Sequence, residues 1–144
     1  MKKIVAVIAL VLVSGTIFTS CITDEKDNTG PQIEIITPEE GEVFAPGDIM
    51  GIRLKFKDAD GVAVYKYEIY NEDASVPNSF ESESEFPLLS YVNEFSIIHN
   101  ISIPREVNDT PLASGTYIID IKARDFADNL SVLKQTFEIV AEEE

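Results

Sequence analysis

Residues 112–125 read LASGTYIIDIKARD, and this stretch decides the fold class. From Thr116 to Arg124, large apolar side chains alternate with side chains that are mainly polar. One set comprises Tyr117, Ile119, Ile121 and Ala123, and the other comprises Ile118, Asp120, Lys122 and Arg124. A period of two puts the first set on one face of a β-strand and the second set on the other. The stretch therefore predicts a strand with one face on a core and one face in water.

Similar patterns fill the chain from Gln32 onward. The other predicted strands are Gln32–Ile36, Ile49–Lys57, Val62–Tyr70, Phe95–Ile103 and Leu130–Val140, with one more within Glu83–Leu89. Their expected core residues include Ile52, Leu54, Phe56, Ala63, Tyr65, Tyr67, Ile69, Phe95, Ile97, Ile101, Ile103, Val132, Phe137 and Ile139. No window of helical length has a 3.6-residue apolar period. The pattern predicts an all-β protein, an antiparallel immunoglobulin-like (Ig-like) β-sandwich of about seven strands over residues 32–141.

The first twenty residues predict a secretion signal. Lys2 and Lys3 precede an unbroken apolar run of ten residues, Ile4–Val13, and small residues follow before Cys21. This order is typical of a secretory leader. The apolar run is too short to span a bilayer, which takes about 20 residues.

Cys21 is the only cysteine, and it ends the segment Phe18-Thr19-Ser20-Cys21. This segment resembles the bacterial lipobox, with Phe18 where leucine is usual. The resemblance implies a lipoprotein signal peptide at residues 1–20, a diacylglycerol thioether on Cys21 and attachment to a membrane through that lipid. The alternative is an ordinary signal followed by a chance cysteine. Residues 21–31 are then the lipidated cysteine and an acidic tether.

The acidic run Asp24-Glu25-Lys26-Asp27 follows the cysteine directly. In lipoproteins of Bacteroidota-like bacteria, such residues resemble a signal for export to the outer face of the outer membrane. Solvation of the tether explains the same charges equally well. The whole chain carries a formal net charge of −15. This charge argues against nucleic acid as a partner, and against lying flat on anionic headgroups.

Two motifs carry a resemblance to a fold family. Leu112–Tyr117 resembles the tyrosine corner of Ig-like and fibronectin-like domains, which implies structural roles for Gly115 and Tyr117. Residues 121–129, IKARDFADN, resemble the A-x-D-x-A-G-N turn of bacterial Ig-like domains, with Asp128 in place of glycine. Together with the lipobox, these motifs resemble an Ig-like lipoprotein family of Bacteroidota without an established activity. Membership implies a location in the bacterial cell envelope. With the acidic run after Cys21, the predicted location is the outer membrane, exposed at the surface.

The Ig strand order brings two acidic loops to one end of the sandwich, together with the start of the first strand. One loop follows the second predicted strand, and the other precedes the last. They carry Asp58, Asp60, Asp125, Asp128 and Asn129. Oxygen ligands of this kind suit calcium, the one cofactor considered, although none is required. The alternative is turn chemistry, in which Asp and Asn side chains bond their own backbone.

The connection Asn71–Ser90 is long for this fold, and it is both acidic and aromatic. Long loops are commonly functional. Phe80, Phe86 and Tyr91 are therefore candidate contacts for a partner at the end away from the tether. The alternative places Phe86, Leu88 and Leu89 in a strand that packs into the core.

No residue pattern indicates catalysis. His99, the only histidine, shares a face with Ile97 and Ile101, which predicts a structural side chain rather than a catalytic or metal-binding one. The predicted function is a non-catalytic envelope lipoprotein that binds, adheres to or assembles with a surface protein or glycan. The alternatives are a purely structural envelope protein and, with less support, a peptidase inhibitor or an enzyme accessory subunit.

Overall fold

The computed structural model describes residues 28–76, 80–88 and 91–140, without the side chains of residues 81–84. The leader, Cys21 and Leu89 lie outside this part of the chain. The described residues form the strands β1 (Gln32–Thr37), β2 (Val43–Phe44), β3 (Ile49–Lys57), β4 (Val62–Asn71), β5 (Glu81–Pro87), β6 (Glu94–Ser102), β7 (Glu106–Val107), β8 (Thr110–Pro111), β9 (Gly115–Asp125) and β10 (Leu130–Ile139). Over the same residues, no helix is long and apolar enough to cross a bilayer.

The strands form two main sheets. The first has the order β1-β3-β6, and the second has the order β2-β10-β9-β4-β5. Their neighbouring strands are antiparallel, except that β2 runs parallel to β10. The rings of Phe56 on β3 and Tyr65 on β4 lie 4.9 Å apart and connect the two sheets. The prediction of an all-β, Ig-like sandwich is confirmed.

The core lies between the sheets, as the alternation predicts. On β3, Ile52, Leu54 and Phe56 are fully buried, and Met50 joins them. From the second sheet, the buried set contains Tyr65, Tyr67, Ile69, Tyr117, Ile119, Ile121, Ala123, Phe137 and Ile139. Burying apolar side chains stabilises a fold by about 1.5–3 kcal/mol each, so this cluster is the main source of stability.

Two core expectations were wrong. Val132 is 49% exposed. Strand β10 pairs with β9 without a register shift, so its side chains alternate regularly between the two faces of the sheet. Val132 and Phe137 are five residues apart and therefore lie on different faces. On β4, a bulge between Val62 and Val64 changes the alternation. Val62 is therefore fully buried, whereas Ala63 is only half-buried.

The strand expected within Glu83–Leu89 is β5, at Glu81–Pro87. An Ig strand D would lie beside β6, but β5 pairs with β4 instead, with Tyr65 opposite Phe86. It therefore occupies the C′ position of the other sheet. The chain then returns to β6 at the end of the sandwich where β4 begins, since Val62 donates its amide to the carbonyl of Val92.

Candidate functional site

Two loops meet at the end of the sandwich where β1 begins. They are the β3–β4 loop, residues 58–61, and the β9–β10 loop, residues 126–129. Val62 pairs with Asp125 in register, and the amide of Phe126 donates to the carbonyl of Gly61 at 3.3 Å. Gly30 lies against Leu130 and Ser131 at the same end. We call this region the tether end, after the tether predicted for residues 21–31, and the two acidic loops share it.

Asp58 shapes the β3–β4 loop. Its side chain is buried, and its Oδ1 accepts a hydrogen bond from the amide of Asp60 at 2.8 Å. The amide of Asp58 donates to the carbonyl of Asn93 at 2.8 Å, which joins this loop to the chain entering β6. The bond from the Asp60 amide to the Asp58 side chain is that of an Asx turn.

Asp125 organises the β9–β10 loop in the same way. It is 2% exposed, and its Oδ1 and Oδ2 accept from the amide and the side-chain Nδ2 of Asn129 at 2.8 and 2.7 Å. Asp128 has a φ of 71°, the left-handed conformation that favours glycine and that Asn and Asp also adopt. This left-handed conformation explains why glycine is usual at that position of the A-x-D-x-A-G-N turn. The Asp128 carboxylate forms an ion pair with Arg124 at 3.2 Å.

The two acidic loops share an end without converging on one point. Among the residues that the structure describes, no group of three or more His, Cys, Asp or Glu side chains is arranged to hold a metal ion. The carboxylates of Asp58 and Asp125 accept hydrogen bonds within their own loops. The described geometry matches turn chemistry, and calcium binding by these residues and Asn129 stays a prediction.

The sequence predicts Tyr91 at the end away from the tether. In the structure Tyr91 lies at the tether end. Because β5 runs back along β4, the segment after it reaches the β3–β4 loop. Tyr91 is 59% exposed and stacks on Phe126, with ring centroids 5.6 Å apart and planes at 19°. The Tyr91 hydroxyl donates to the carbonyl of Ala59 at 2.9 Å.

Phe80 and Phe86 pack on the core. Phe80 is half-buried, its ring centroid is 5.8 Å from that of Tyr117, and its amide donates to the carbonyl of Ile69. The expectation that Phe80 is exposed on a loop is not met, since it continues the pairing of β5 with β4. Phe86 stacks on Tyr65 at 5.0 Å. Leu88 also packs against the core.

The tyrosine corner is present. Tyr117 is fully buried, and its hydroxyl donates to the carbonyl of Ala113 at 2.9 Å. Gly115 has a φ of 142°, a conformation that side chains other than glycine rarely adopt. Both predicted structural roles therefore have a physical basis.

His99 is half-buried on the inward face of β6, the face it shares with Ile97 and Ile101, and it belongs to an aromatic cluster. Its ring centroid is 4.8 Å from Phe86 and 5.0 Å from Tyr67. The Nε2 atom is 2.9 Å from the Tyr65 hydroxyl. Burial lowers the pKa of His99 and raises the pKa of Tyr65, because the interior disfavours the charged forms of both.

One polar cluster was missed in the sequence. On the outer face of the five-stranded sheet, Lys134 donates to the Tyr70 hydroxyl at 2.8 Å and lies 3.0 Å from the Asp120 carboxylate. These two partners raise the pKa of Lys134. The Oδ1 atom of Asp120 is buried and has no hydrogen-bond partner within the described residues. Lys134 and Asp120 are paired in the register of β10 with β9. This pairing could be found in the sequence only after the two strands had been aligned as a hairpin.

The end of the sandwich opposite the tether end carries the β7–β8 hairpin and a polar hollow. Asn108 and Asp109 have φ values of 53° and 61° and join β7 to β8, as a two-residue hairpin turn requires. The hollow, of about 260 Å³, lies between the β4–β5 connection and the start of β9, and is lined by Asn71, Glu72, Asp73, Val76, Ser114, Gly115 and Thr116. We call this region the distal end.

The family model of a domain of unknown function, DUF4625, matches residues 19–140. The chain belongs to the DUF4625 family. The match includes Cys21 and the whole β-sandwich, and the family's description names no activity. The resemblance to a lipoprotein family of Bacteroidota stays a prediction. No curated protein matches the sequence significantly.

Several solved structures resemble this DUF4625 domain. Fibronectin(III)-like modules of CbhA from Clostridium thermocellum share 19% identity, with 75% of this chain and 94% of that chain covered and a TM-score of 0.46. A beta-glucosidase from Listeria innocua shares 11% identity, with 78% and 16% covered and a TM-score of 0.46. A superoxide reductase (neelaredoxin) from Ignicoccus hospitalis shares 11% identity, with 78% and 81% covered and a TM-score of 0.44. The chain spans only 16% of the glucosidase, and none of these activities is transferred to it.

Proposed function

We propose that this DUF4625 protein is a non-catalytic lipoprotein of the bacterial cell envelope that binds or assembles with a surface protein or glycan. Its N-terminus would be held by lipid on Cys21, in the outer membrane and on its exposed face. The leader and the lipobox-like segment support the anchor, and the family match includes Cys21.

The observation that carries the proposal is the polarity of the sandwich. The described chain begins at the tether end, where Gly30 contacts Ser131. The distal end carries the polar hollow of about 260 Å³ and the β7–β8 hairpin. An anchored protein with this polarity presents the distal end to partners beyond the membrane surface.

A non-catalytic role is consistent with how the polar residues of the sandwich are used. Asp58, Asp125 and Asn129 form loop hydrogen bonds, and His99 faces an aromatic interior. Catalysis would need polar groups that converge on a substrate-sized cleft.

The anchor is tested by mass spectrometry of the protein purified from its native envelope. We expect a diacylglyceryl group on Cys21 and an N-terminus at that residue. Cys21→Ala should move the protein from the membrane fraction to the aqueous fraction of a detergent phase separation. An unmodified thiol at Cys21 would contradict the anchor.

The partner is tested by cross-linking on intact cells, followed by affinity capture of the tagged protein. Glu72→Arg reverses a charge in the distal hollow, and Glu34→Arg makes the same change on the side of the sandwich, on β1. We expect the distal change to reduce the captured partner at least several-fold and the control change to leave it unaltered. If nothing is cross-linked in the unaltered protein, the purely structural role is the better description.

A further inference from the structure

The tether end has an exposed aromatic pair formed by side chains from two different loops. Tyr91 and Phe126 are 59% and 53% exposed, and their rings stack at 5.6 Å. Large apolar side chains on a surface mark contact sites when they lie together rather than singly.

The structure holds this pair in place from several sides. The Tyr91 hydroxyl donates to the carbonyl of Ala59, and the Phe126 amide donates to the carbonyl of Gly61. The Tyr91 ring lies so close to Gly61 that an added Cβ would be only 2.9 Å from it. The pair is therefore preorganised, with little side-chain freedom left to lose on binding.

Chain length ties this end to the anchor. Gly30 lies nine positions after Cys21 in the sequence, and a chain of nine residue steps spans at most about 30 Å. Because Gly30 packs against Leu130 and Ser131 at the start of β10, the tether leads to the end that carries the aromatic pair.

The charges at this end are compatible with a neutral lipid surface. Asp58 and Asp125 are buried and hydrogen-bonded, and Asp128 is paired with Arg124. Asp60 is exposed, as is Lys57 at the end of β3. Tyrosine is enriched at membrane–water interfaces, where its ring meets apolar chains and its hydroxyl meets polar groups.

We propose that Tyr91 and Phe126 contact the headgroup region of a zwitterionic phospholipid bilayer, so that the sandwich stands on the membrane with its distal end outward. This proposal rests on the lipid anchor of the proposed function. Lipid on Cys21 confines the domain near the bilayer, and the aromatic pair then sets its orientation.

The test uses the full chain, expressed in a bacterium so that it is acylated, and reconstituted into phosphatidylcholine vesicles with brominated acyl chains. The sequence contains no tryptophan, so a single substitution introduces a unique fluorophore. Phe126→Trp reports the tether end and keeps an aromatic ring against Tyr91. Val140→Trp is the matched control, because Val140 is 55% exposed and follows Ile139, which pairs with Gly115 at the distal end.

We expect the brominated lipids to quench F126W at least threefold more strongly than V140W. Adding Tyr91→Ser to F126W should reduce that quenching while the far-UV circular dichroism stays unchanged. Equal quenching of the two tryptophans would overturn the proposal. So would an F126W signal that neither bromine nor aqueous iodide quenches, since a second copy of the chain would then cover the pair.

Failure of the anchor can be told apart from failure of the aromatic contact. Mass spectrometry of the same preparation reports acylation of Cys21 directly. If the thiol is free, the mature chain can be coupled through it to a maleimide-bearing phospholipid, because Cys21 is the only cysteine. The quenching comparison then still decides whether Tyr91 and Phe126 meet the lipid.

Discussion

At the scale of single residues, hydrogen bonds from side chain to backbone join the loops to the core. Tyr117 illustrates this, since its buried hydroxyl donates to the carbonyl of Ala113 and so holds the connection before β9. Removing the hydroxyl loses this hydrogen bond, and an intramolecular hydrogen bond of this kind contributes about 0.5–1.5 kcal/mol to stability.

Tyr117→Phe should therefore lower the free energy of unfolding by about 1 kcal/mol. Urea denaturation followed by circular dichroism measures the change. Tyr91→Phe is the matched control, since it removes a hydroxyl that also donates to a carbonyl, but from an exposed ring. We expect the control to cost less than about 0.5 kcal/mol. Equal losses in the two variants would contradict a special role for the corner.

His99 gives a pH dependence whose sign follows from its environment. Burial lowers the pKa of His99 in the folded protein, whereas in the unfolded chain the imidazole titrates near about 6.5. Below that pH the unfolded chain binds more protons, so stability is full near neutral pH and is lost as the pH falls towards the lowered pKa.

Denaturation midpoints measured from pH 7.5 to pH 5 should fall in the unaltered protein. In His99→Gln the fall should be smaller, because glutamine can still bond the Tyr65 hydroxyl but does not titrate. The chain has no other histidine, so the difference between the two pH profiles reports this residue. Identical pH profiles would show that the His99 imidazole does not couple to folding.

At the scale of elements, β5 widens the larger sheet and contributes to the aromatic cluster. Phe86 stacks on Tyr65 and lies 5.7 Å from Tyr67. The connection that reads as a long loop in the sequence is therefore in part a strand, and its aromatic residue Phe86 supports the core.

Phe86→Ala should cost about 2 kcal/mol, less than the 3–5 kcal/mol typical of fully buried phenylalanine, because the side chain is half-buried. The measurement is guanidinium denaturation. Val132→Ala truncates a half-exposed residue of β10 in the same sheet and should change stability by less than about 0.5 kcal/mol. A loss below 0.5 kcal/mol for Phe86→Ala would mean that β5 does not pack as described.

At the scale of the whole molecule, the net charge of −15 opposes the compact state. The exposed ion pairs Lys55–Glu94 and Arg124–Asp128 are of the kind that contributes little. Self-repulsion should therefore dominate the response of stability to salt.

The thermal midpoint should rise as sodium chloride increases from about 10 mM to about 0.5 M, because the Debye length shortens from about 30 Å to below 8 Å. Differential scanning calorimetry measures the midpoint. Potassium chloride at equal ionic strength is the control, and it should give the same shift if screening is the cause. A midpoint that falls with salt would show that attractive ion pairs outweigh the repulsion.

Much of the fold could be predicted from local pattern. Alternation located β1, β3, β4, β6, β9 and β10 within about two residues, because each strand's period of two is written in its own sequence. The tyrosine corner and the Asp-rich turns were also readable, since their hydrogen bonds join residues within four positions of each other.

Local pattern was enough to predict the six long strands, most of the core and the end where the acidic loops lie. The long-range pairing of strands was needed to show that β5 pairs with β4, that Tyr91 stacks on Phe126, and that Lys134 meets Tyr70 and Asp120. The physical reason is that alternation sets which way a side chain faces, while a strand's lateral neighbour depends on pairings between distant residues. The alternation within one strand does not determine which strand pairs beside it.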